Sequence, residues 1–427
     1  MVCHFDGSNN IRAFKLKVGL GSTVLINGLQ SGQLDGIGHY CEEMFNQLNK
    51  LNRNILLHPV FFGKPPMPDL KGLVIESFPK YSSSALWSTL SSSDFFKTKS
   101  LQNDLDIFHA TDHCTPRFSH LPVVATFMDA IPLSHPHWVN QRARWIKNLV
   151  WRKSAQWADH LITISEFSKK EISHHFRVDE NNITVIPLGV DERYFVRLGQ
   201  DVIDSHRQRL KLPERFFLFI GTLQPRKNLD RMIDAHEALP AHIRKEVPLL
   251  IVGRNGWGSE QCIQRLNAYG QGGAVRWLQN VNDVSKRVML QSATALVFPS
   301  LLEGFGLPVL EGFASQTPVM TSNLSSLPEV AGDAAWLVDP YKVAEMTEAM
   351  ATLAQDETVG REFVAKGLVR ARKFTWQACA QETIKVYERV LNTKTPHLQQ
   401  IDSHLADDQL IDQVGLDKQP THRAKPI

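Results

Sequence analysis

The sequence predicts an α/β protein built from two parallel-sheet domains that face each other across a cleft. Its 427 residues exceed what one hydrophobic core usually supports, so two domains are the natural expectation. Short β-branched apolar runs alternate with helix-period segments along the chain, which is typical of repeated strand-helix units around parallel sheets. A segment with Pro187 and Gly189, at residues 185–195, separates two such series.

The first series of strands and helices occupies the N-terminal half. Its first strand is expected at residues 23–27, TVLIN, followed by a glycine loop and a helix from about residue 39 to 51. Five more strands are expected, at residues 55–58, 73–76, 107–110, 123–127 and 160–164. Residues 81–100 are rich in serine and weakly periodic, so we expect loop and short helix there.

The second series has six expected strands, at residues 216–220, 249–252, 275–278, 295–299, 318–321 and 335–338. From about residue 395 the chain is rich in Gln, Asp, His and Pro with little periodicity, which is typical of a poorly ordered tail. These patterns predict an N-terminal domain at 1–190, a C-terminal domain at 191–375, a last helix at 376–394 that packs back toward the N-terminal domain, and a flexible tail at 395–427.

Composition excludes several classes of protein. Hydrophobic residues make up 43% of the chain and charged residues 21%, and no run approaches the roughly 18 apolar residues that a membrane span needs. No secretory signal is recognisable, so we expect a cytoplasmic protein. The formal charge of +3 is too small to indicate nucleic acid as a partner. The five cysteines include no CxxC pair, which argues against a zinc site or a disulfide framework.

The segment SLLEGFGLPVLEG, residues 300–312, directly follows a predicted strand. Its proline suits the first turn of a helix, so we expect a helix that begins near Leu307. Glu311 is then expected in the first turn and Glu303 in the loop. Open α/β sheets bind ligands at the carboxyl ends of their strands. We therefore expect both carboxylates to face a ligand, and the backbone amides at the helix start, those of Gly306 and Leu307, to hold an anion.

A second constellation, GTLQPRKN at residues 221–228, also joins a predicted strand to a helix. Arg226 can donate two parallel hydrogen bonds to phosphate oxygens, and Lys227 supplies a point charge. Together they can neutralise a diphosphate leaving group without a metal ion. Taken alone, however, an adjacent Arg and Lys are more often a solvated surface pair.

A third feature is Gly36-Ile37-Gly38, which precedes a predicted helix in the N-terminal half. The amides of Gly36 and Gly38 are expected to face the same diphosphate. Glycines in such a loop are more often only a turn, and Glu311 can merely complement a helix dipole. The three features nevertheless coincide at strand ends in opposite halves of the chain, and this coincidence favours a shared ligand.

These motifs resemble those of the retaining glycosyltransferases with the GT-B fold, of the group 1 or glycosyltransferase family 4 type, which includes bacterial lipopolysaccharide and O-antigen mannosyltransferases. The likeness covers about residues 23–390. The family's two glutamates, separated by seven residues, are matched by Glu303 and Glu311 in EGFGLPVLE. Its phosphate-binding pair is matched by Arg226 and Lys227. Further likeness lies in the GIG loop and in ITISEFSKKEI, VIPLGVD and SSLPEVAGDAA.

The resemblance implies two Rossmann-like domains, the N-terminal one on the acceptor side and the C-terminal one binding the nucleotide sugar. It implies that Glu303 contacts the transferred sugar, that Glu311 accepts hydrogen bonds from the ribose, and that Arg226 and Lys227 stabilise the departing nucleoside diphosphate. The nucleotide sugar is then a co-substrate, and neither a cofactor nor a metal is expected. The leaving phosphate would help to deprotonate the acceptor, although double displacement through a carboxylate nucleophile stays open.

One position departs from the family pattern. Many relatives carry a His-Asp pair before IPL, whereas ATFMDAIPL has Met128 and Asp129. The missing histidine is compatible with a donor sugar whose outer hydroxyl is absent or modified, such as a deoxy sugar. Asp129 is expected to face the acceptor. His113 or His135 can substitute in space for the missing imidazole, although a lone histidine is more often structural.

Two further signals have less weight. Asp104-Leu105-Asp106 has the DxD form of metal-binding glycosyltransferases, but it precedes a strand and so lies at the wrong end of the sheet. Residues 138–158 hold five basic residues, four tryptophans and no acid. Such a stretch is either an ordinary packed helix with a solvated basic side or a peripheral contact with anionic lipid.

We therefore expect a hexosyltransferase that uses a nucleotide diphosphate sugar. A GDP-linked mannose or deoxymannose is favoured as donor, and a saccharide or lipid-linked saccharide of cell-surface polysaccharide synthesis as acceptor, by analogy with the family. Two alternatives stay open: a UDP-sugar donor, and a non-catalytic subunit of the same fold that binds a sugar nucleotide or a glycan. A nicotinamide oxidoreductase is disfavoured because GxGxxG is lacking.

Overall fold

The structure is a computed structural model that describes residues 15–32, 34–51, 54–64, 75–138, 144–269 and 273–394. The predicted tail at 395–427 and Arg142 of the basic stretch lie outside the described residues. The strands form two separate sheets. Strands and helices alternate in both, which confirms the α/β class and the two Rossmann-like domains.

The N-terminal sheet has seven strands: β1 (Leu16–Gly21), β2 (Ile55–Phe62), β3 (Glu76–Phe78), β4 (Ile107–Ala110), β5 (Val123–Thr126), β6 (His160–Thr163) and β7 (Ile183–Val185). They run parallel in the order β3-β2-β1-β4-β5-β6-β7. The helices around them are α1 (Thr23–Ser31), α2 (Gly36–Leu51), α3 (Tyr81–Ser91), α4 (Lys99–Asp104), α5 (Ile131–Ser134), α6 (Arg144–Ala155) and α7 (Glu166–Phe176).

The C-terminal sheet has six strands: β8 (Phe217–Ile220), β9 (Leu249–Val252), β10 (Val275–Leu278), β11 (Ala295–Phe298), β12 (Val319–Ser322) and β13 (Trp336–Val338). They run parallel in the order β10-β9-β8-β11-β12-β13. Each of the strands β8, β9, β11 and β12 has four residues, and all of them are buried, as in sheets covered by helices on both faces.

Ten α-helices lie in the described part of the chain from residue 200 onward: α8 (Gln200–Leu210), α9 (Leu229–Glu237), α10 (Ala241–Glu246), α11 (Glu260–Tyr269), α12 (Asp283–Ser292), α13 (Leu307–Ala314), α14 (Leu327–Ala331), α15 (Val343–Gln355), α16 (Glu357–Ala371) and α17 (Trp376–Lys394). Among all helices that the structure describes, none combines the length and the apolar character needed to cross a membrane.

The expected first strand at residues 23–27 was wrong, because this segment lies in α1 and the first strand is β1. The sequence of β1, LKVGLG, contains two glycines and therefore has a weak strand pattern. Packing explains the first of them: a Cβ on Gly19 would lie 2.5 Å from Leu105 Cδ1 and 2.8 Å from Phe108 Cδ2. The central position of β1 between β2 and β4 thus demands small residues that local propensity disfavours.

Other boundaries shifted less. Strand β3 begins at Glu76, where the strand expected at 73–76 ends, and residues 73 and 74 lie outside the described part. Strand β7 begins just before the segment expected as a linker. The serine-rich stretch contains α3 and α4, as expected for short helices.

The last helix, α17, packs against α2 of the N-terminal domain. The hydroxyl of Tyr387 lies 2.6 Å from His109 Nδ1, and His109 Nε2 lies 2.8 Å from Thr126 Oγ1. The hydroxyl of Tyr40 on α2 reaches the same threonine at 2.9 Å. Burial lowers the pKa of His109 to about 3, so this imidazole is neutral at physiological pH. A buried, uncharged network therefore ties α17 to the N-terminal sheet.

The turn that precedes α17 also contacts the linker between the domains. The amide of Val190 donates to the carbonyl of Phe374 over 3.0 Å. Gly189 is so close to this turn that a Cβ on it would lie 2.1 Å from the backbone nitrogen of Trp376. The linker and the start of α17 therefore pack backbone against backbone, which only glycine permits.

We expect Gly189→Ala to lower stability, because a backbone atom cannot move aside as a flexible side chain can. Overpacking of this kind costs about 2 to 3 kcal/mol, which predicts a thermal midpoint lower by roughly 6 °C. Differential scanning calorimetry would measure it. Gly199→Ala is the matched control, since a Cβ there meets nothing within 4 Å. Equal midpoints for the two variants would contradict the close packing.

Candidate functional site

Two loops at the carboxyl ends of β8 and β11 form the centre of the site. These strands are neighbours in the sheet, so the turn Pro225–Lys227 after β8 lies beside the loop after β11. The amide of Leu301 donates to the carbonyl of Arg226 over 2.7 Å. Asn228 adds a hydrogen bond from its Nδ2 to the carbonyl of Pro299 over 3.1 Å. The two predicted motifs thus meet at one edge of the sheet.

Glu303 is a buried carboxylate held by two cations. Arg226 Nη1 lies 2.7 Å from its Oε2, and Lys227 Nζ lies 2.6 Å from its Oε1. The residue is only 7% exposed. Burial by itself raises the pKa of this carboxyl, but the charges of Arg226 and Lys227 outweigh burial and lower the pKa to about 2. Glu303 is therefore ionised at neutral pH.

The two cations keep donors for a further ligand. Burial lowers the pKa of Lys227 to about 8, although Glu303 opposes that shift. For Arg226 the carboxylate of Glu303 outweighs burial, so the pKa of the guanidinium is raised. Arg226 Nε donates to Gln224, and Nη1 donates to Leu302 and Glu303. Within the described residues Nη2 makes no hydrogen bond, and an ammonium has three donors, so both side chains can still bind an anion.

Helix α13 begins at Leu307, as predicted, beside this charged group. Gly306 precedes it with φ 113°, a backbone conformation that residues other than glycine rarely adopt. A Cβ at this position would also lie 2.6 Å from Leu327 Cδ2. Among the described residues, no acceptor meets the amides of Gly306 and Leu307. These two N–H groups at a helix N-terminus are therefore available to an anion.

Glu311 does not lie in the first turn of α13, contrary to the prediction, because a helix that starts at Leu307 places it fifth. Lys286 Nζ lies 2.7 Å from each of its carboxylate oxygens and donates a hydrogen bond to Oε1. Although burial lowers the pKa of Lys286, the charge of Glu311 outweighs it, so the pKa is raised. Oε2 is buried and accepts no well-aligned hydrogen bond. That oxygen therefore keeps an unused position for accepting a hydrogen bond.

Asp129 belongs to the N-terminal domain but approaches the charged group. A Cβ on Gly304, next to Glu303, would lie 3.2 Å from Asp129 Cβ and 2.5 Å from the carbonyl of Met128. The charge of Asp129 contributes to the raised pKa of Arg226. Its Oδ1 also accepts the amide of Ile131 at the start of α5. The structure therefore brings Asp129 and Glu303 together from opposite domains.

The two histidines considered as substitutes lie in different surroundings. His113 Nε2 is 2.8 Å from the carbonyl of Asp129, and its ring packs 4.6 Å from that of Phe127. His135 stacks on Trp138 with ring centres 4.4 Å apart, and burial lowers its pKa. Only His113 contacts a predicted site residue among these two.

The glycine loop is less open to a ligand than its sequence suggests. Gly36 is the first residue of α2, and Gly38 lies in the first turn. The amide of Gly38 already donates to Asp35 Oδ1 over 2.8 Å, because free amides at a helix start attract a nearby carboxylate. A phosphate can meet this amide only after Asp35 has moved aside.

The domains touch beside Gly304. The hydroxyls of Ser165 and Ser168 donate to the carbonyl of Gly304 over 2.7 and 3.0 Å. The carboxylate of Glu329 accepts the amide of Glu166 at 3.0 Å and so caps helix α7 from the other domain. These contacts join the loops at the carboxyl ends of the two sheets close to Glu303.

The sequence reasoning missed several of these residues. Ser165, Ser168 and Glu329 lie in segments that were recognised as family-like, ITISEFSKKEI and SSLPEVAGDAA, but no role followed from the pattern. Lys286 had no signal in the sequence, because its partner Glu311 lies on another helix.

One group in the described part of the chain has ligands suited to a metal ion. Atoms of His39, Glu43 and Asp191 all lie within 4.8 Å of one another. Both oxygens of Asp191 already bind Arg193, through its amide and through Nε. The predicted site residues around Glu303 are not part of this group.

Comparisons with known proteins agree with this architecture. The family model described as glycosyl transferases group 1 matches residues 202–368, and the model described as glycosyltransferase family 4 matches residues 34–194. Among solved structures, sucrose-phosphate synthase from Thermosynechococcus elongatus superposes with a TM-score of 0.68 at 16% identity, covering 89% of this chain and 100% of that one. HepE from Anabaena, with UDP-glucose, superposes with a TM-score of 0.65 at 15% identity, covering 88% and 100%.

Two relatives from Escherichia coli illustrate the similarity in sequence. The O-antigen chain mannosyltransferase B is 31% identical over 62% of this chain and 70% of the relative. The serotype-specific mannosyltransferase WbdA is 28% identical over 55% of this chain. The chain spans only 29% of the length of WbdA.

We expect Glu303→Gln to be less stable than the wild type at neutral pH, because it leaves the buried Lys227 and the partly buried Arg226 without their anion. The folded pKa of about 2 lies below the ordinary value of 4.5. The ionised carboxylate therefore stabilises the fold above about pH 4.5, by about 3 kcal/mol for such a difference in pKa. This contribution is lost as the pH falls from 4.5 toward 2.

Urea unfolding of both proteins as a function of pH measures this difference. The difference in the free energy of unfolding between the wild type and Glu303→Gln should narrow as the pH falls from 4.5 toward 2. The control is Glu362→Gln, an exposed carboxylate on α16, which should give no such gap. A gap that does not change with pH would contradict the lowered pKa of Glu303.

Proposed function

The chain belongs to the group 1 glycosyltransferases of the family 4 type, and on this basis we propose that it transfers a hexose, with retention of configuration, from a nucleotide diphosphate sugar to a saccharide acceptor. The observation that carries the proposal is the group of Glu303, Arg226 and Lys227. It combines a buried carboxylate with two cations at the carboxyl end of β11, next to helix amides that meet no acceptor among the described residues.

The cations are suited to stabilise a departing diphosphate. When the bond between the anomeric carbon and the phosphate oxygen breaks, negative charge grows on that oxygen. Arg226 Nη2 and the remaining donors of Lys227 can meet this charge from fixed positions, and so can the amides of Gly306 and Leu307. In our proposal these donors do the work that a metal ion does elsewhere, so no metal takes part.

For the proton and the new bond we propose the route that the family resemblance implies. The acceptor oxygen attacks the anomeric carbon on the face from which the diphosphate leaves, and its proton passes to the departing phosphate oxygen. Glu303 then stabilises positive charge on the sugar ring rather than acting as a nucleophile. We assign Asp129 to the acceptor side, because it approaches Gly304 from the N-terminal domain.

The ribose is proposed to bind at Glu311. Lys286 donates a hydrogen bond to this carboxylate from one side, while the buried Oε2 lacks an aligned donor. A vicinal pair of hydroxyl groups would supply that donor. The diphosphate then extends from Glu311 along the start of α13 to Arg226.

Mannose, or a deoxymannose, is the proposed sugar, and GDP the proposed nucleotide. Support comes from two relatives named O-antigen chain mannosyltransferase B and serotype-specific mannosyltransferase WbdA. Further support comes from Met128, which stands where the family pattern has a histidine. The acceptor is proposed to be a saccharide or a lipid-linked saccharide in cell-surface polysaccharide synthesis. A UDP-sugar is the second candidate, since the structural neighbour HepE holds UDP-glucose.

Calorimetric titration with GDP, UDP, dTDP and ADP in the presence of EDTA tests the donor site. We expect one diphosphate, GDP, to bind without metal.

In a transfer assay with GDP-mannose, Arg226→Ala should lower kcat/KM by about 100-fold to 1,000-fold, because a hydrogen-bond donor aimed at the leaving group is lost. Arg372→Ala, at an exposed position after α16, should leave kcat/KM unchanged.

Failure of every diphosphate to bind would overturn the donor site and favour a non-catalytic glycan-binding subunit. Tight binding of UDP alone would keep the transferase and replace its donor. Binding that appears only when Mg²⁺ replaces EDTA would contradict metal independence.

The ribose contact has a test of its own. We expect Glu311→Gln to weaken GDP binding by about tenfold or more, because a charged acceptor of ribose hydroxyls is lost. The same variant should bind 2′,3′-dideoxy-GDP as the wild type does, since that ligand has no hydroxyls to donate. A comparable loss for both ligands would place Glu311 away from the ribose.

A further inference from the structure

Six large apolar side chains are exposed on neighbouring elements of the N-terminal domain. They lie on α3, on the segment after it and on α6, and we call them the α3-α6 surface: Leu86, Trp87, Leu90, Phe96, Trp145 and Leu149. Helices α3 and α6 contact each other, and the rings of Trp87 and Phe96 are 5.8 Å apart. Leu90 and Trp145 are each 74% exposed. Contiguous apolar surface of this kind marks a binding face.

The charges beside this surface are all positive on α6. Its sequence, RWIKNLVWRKSA, contains no acid, and Lys147, Arg152 and Lys153 are exposed. Lys97 and Lys99 add two exposed bases after α3. Trp and Leu side chains next to Lys and Arg are typical of surfaces that lie in the interface of a bilayer.

From these observations we propose that the α3-α6 surface docks on an anionic lipid bilayer. The apolar side chains enter the boundary between headgroups and acyl chains, and the bases of α6 bind the anionic headgroups. A protein partner fits less well, because the centres of protein interfaces are depleted in lysine. The uninterrupted positive charge of α6 instead matches a continuous negative surface.

The position of α6 connects this surface to the site. The chain reaches α6 after β5 and the loop with Asp129, and α6 leads on to the amino end of β6. Helix α6 therefore belongs to the connection that follows the loop with Asp129 and α5. A bilayer docked there would present a lipid-linked saccharide to the cleft; this consequence rests on the proposed function, whereas the docking itself does not.

Vesicle flotation of the full chain tests the proposal. The protein should float with vesicles of equal parts phosphatidylcholine and phosphatidylglycerol and not with phosphatidylcholine alone, and salt should weaken the binding. Lys147→Glu with Lys153→Glu should lower the bound fraction by about tenfold or more. Leu90→Asp with Trp145→Asp should do the same, because the inserted apolar groups are lost.

Controls on the other domain separate docking from unfolding. Lys245→Glu and Val369→Asp change exposed residues of α10 and α16 and should float as the wild type does. GDP titration of all variants should give unchanged affinity, which distinguishes loss of docking from loss of the donor site. No flotation with either vesicle, or equal flotation of wild type and α3-α6 variants, would overturn the proposal and leave a protein partner as the occupant.

Discussion

The buried carboxylate of Glu303 constrains the site more than any other group. An ionised carboxyl away from water is very unfavourable unless cations and hydrogen bonds meet it. Arg226 and Lys227 can do so only if the loops after β8 and β11 keep a fixed separation, which Asn228 and Leu301 enforce. The backbone on the other side is held as well, since Ser325 accepts the amide of Glu303 and Ser326 donates to its carbonyl.

The same loop is also where the two domains meet, so packing and chemistry are coupled there. Gly304 lies against the backbone of Met128 with no room for a side chain. Ser165 and Ser168 complete the contact. Motion of one domain relative to the other must therefore make or break hydrogen bonds one residue away from Glu303. A ligand that contacts both domains therefore affects these interdomain hydrogen bonds in addition to forming its own contacts.

Prediction from sequence succeeded where the local preferences of a segment agree with its place in the sheet. The strand-helix alternation predicted the two sheets, and the proline of GLPV predicted the start of α13 at Leu307. It failed at β1, where tertiary packing requires glycine in a central strand, and at Glu311, which lies just beyond the first turn. The partner Lys286 was out of reach, since a contact between distant segments leaves no local pattern, whereas Asp35 lies only three residues before Gly38 and its helix-start contact was missed. The roles of Glu303, Glu311, Arg226 and Lys227 rest on the resemblance and stay predictions.

The hydrogen-bond network around His109 has a consequence for how the protein is made. Tyr387 on α17 completes a polar cluster that is otherwise formed by strands β4 and β5 and helix α2. The N-terminal domain thus lacks part of its interior until the end of the chain has been synthesised. Translation of the whole C-terminal domain separates the two events. During that interval His109 lacks its hydrogen-bond partner Tyr387, and the face of α2 that packs against α17 lacks its cover.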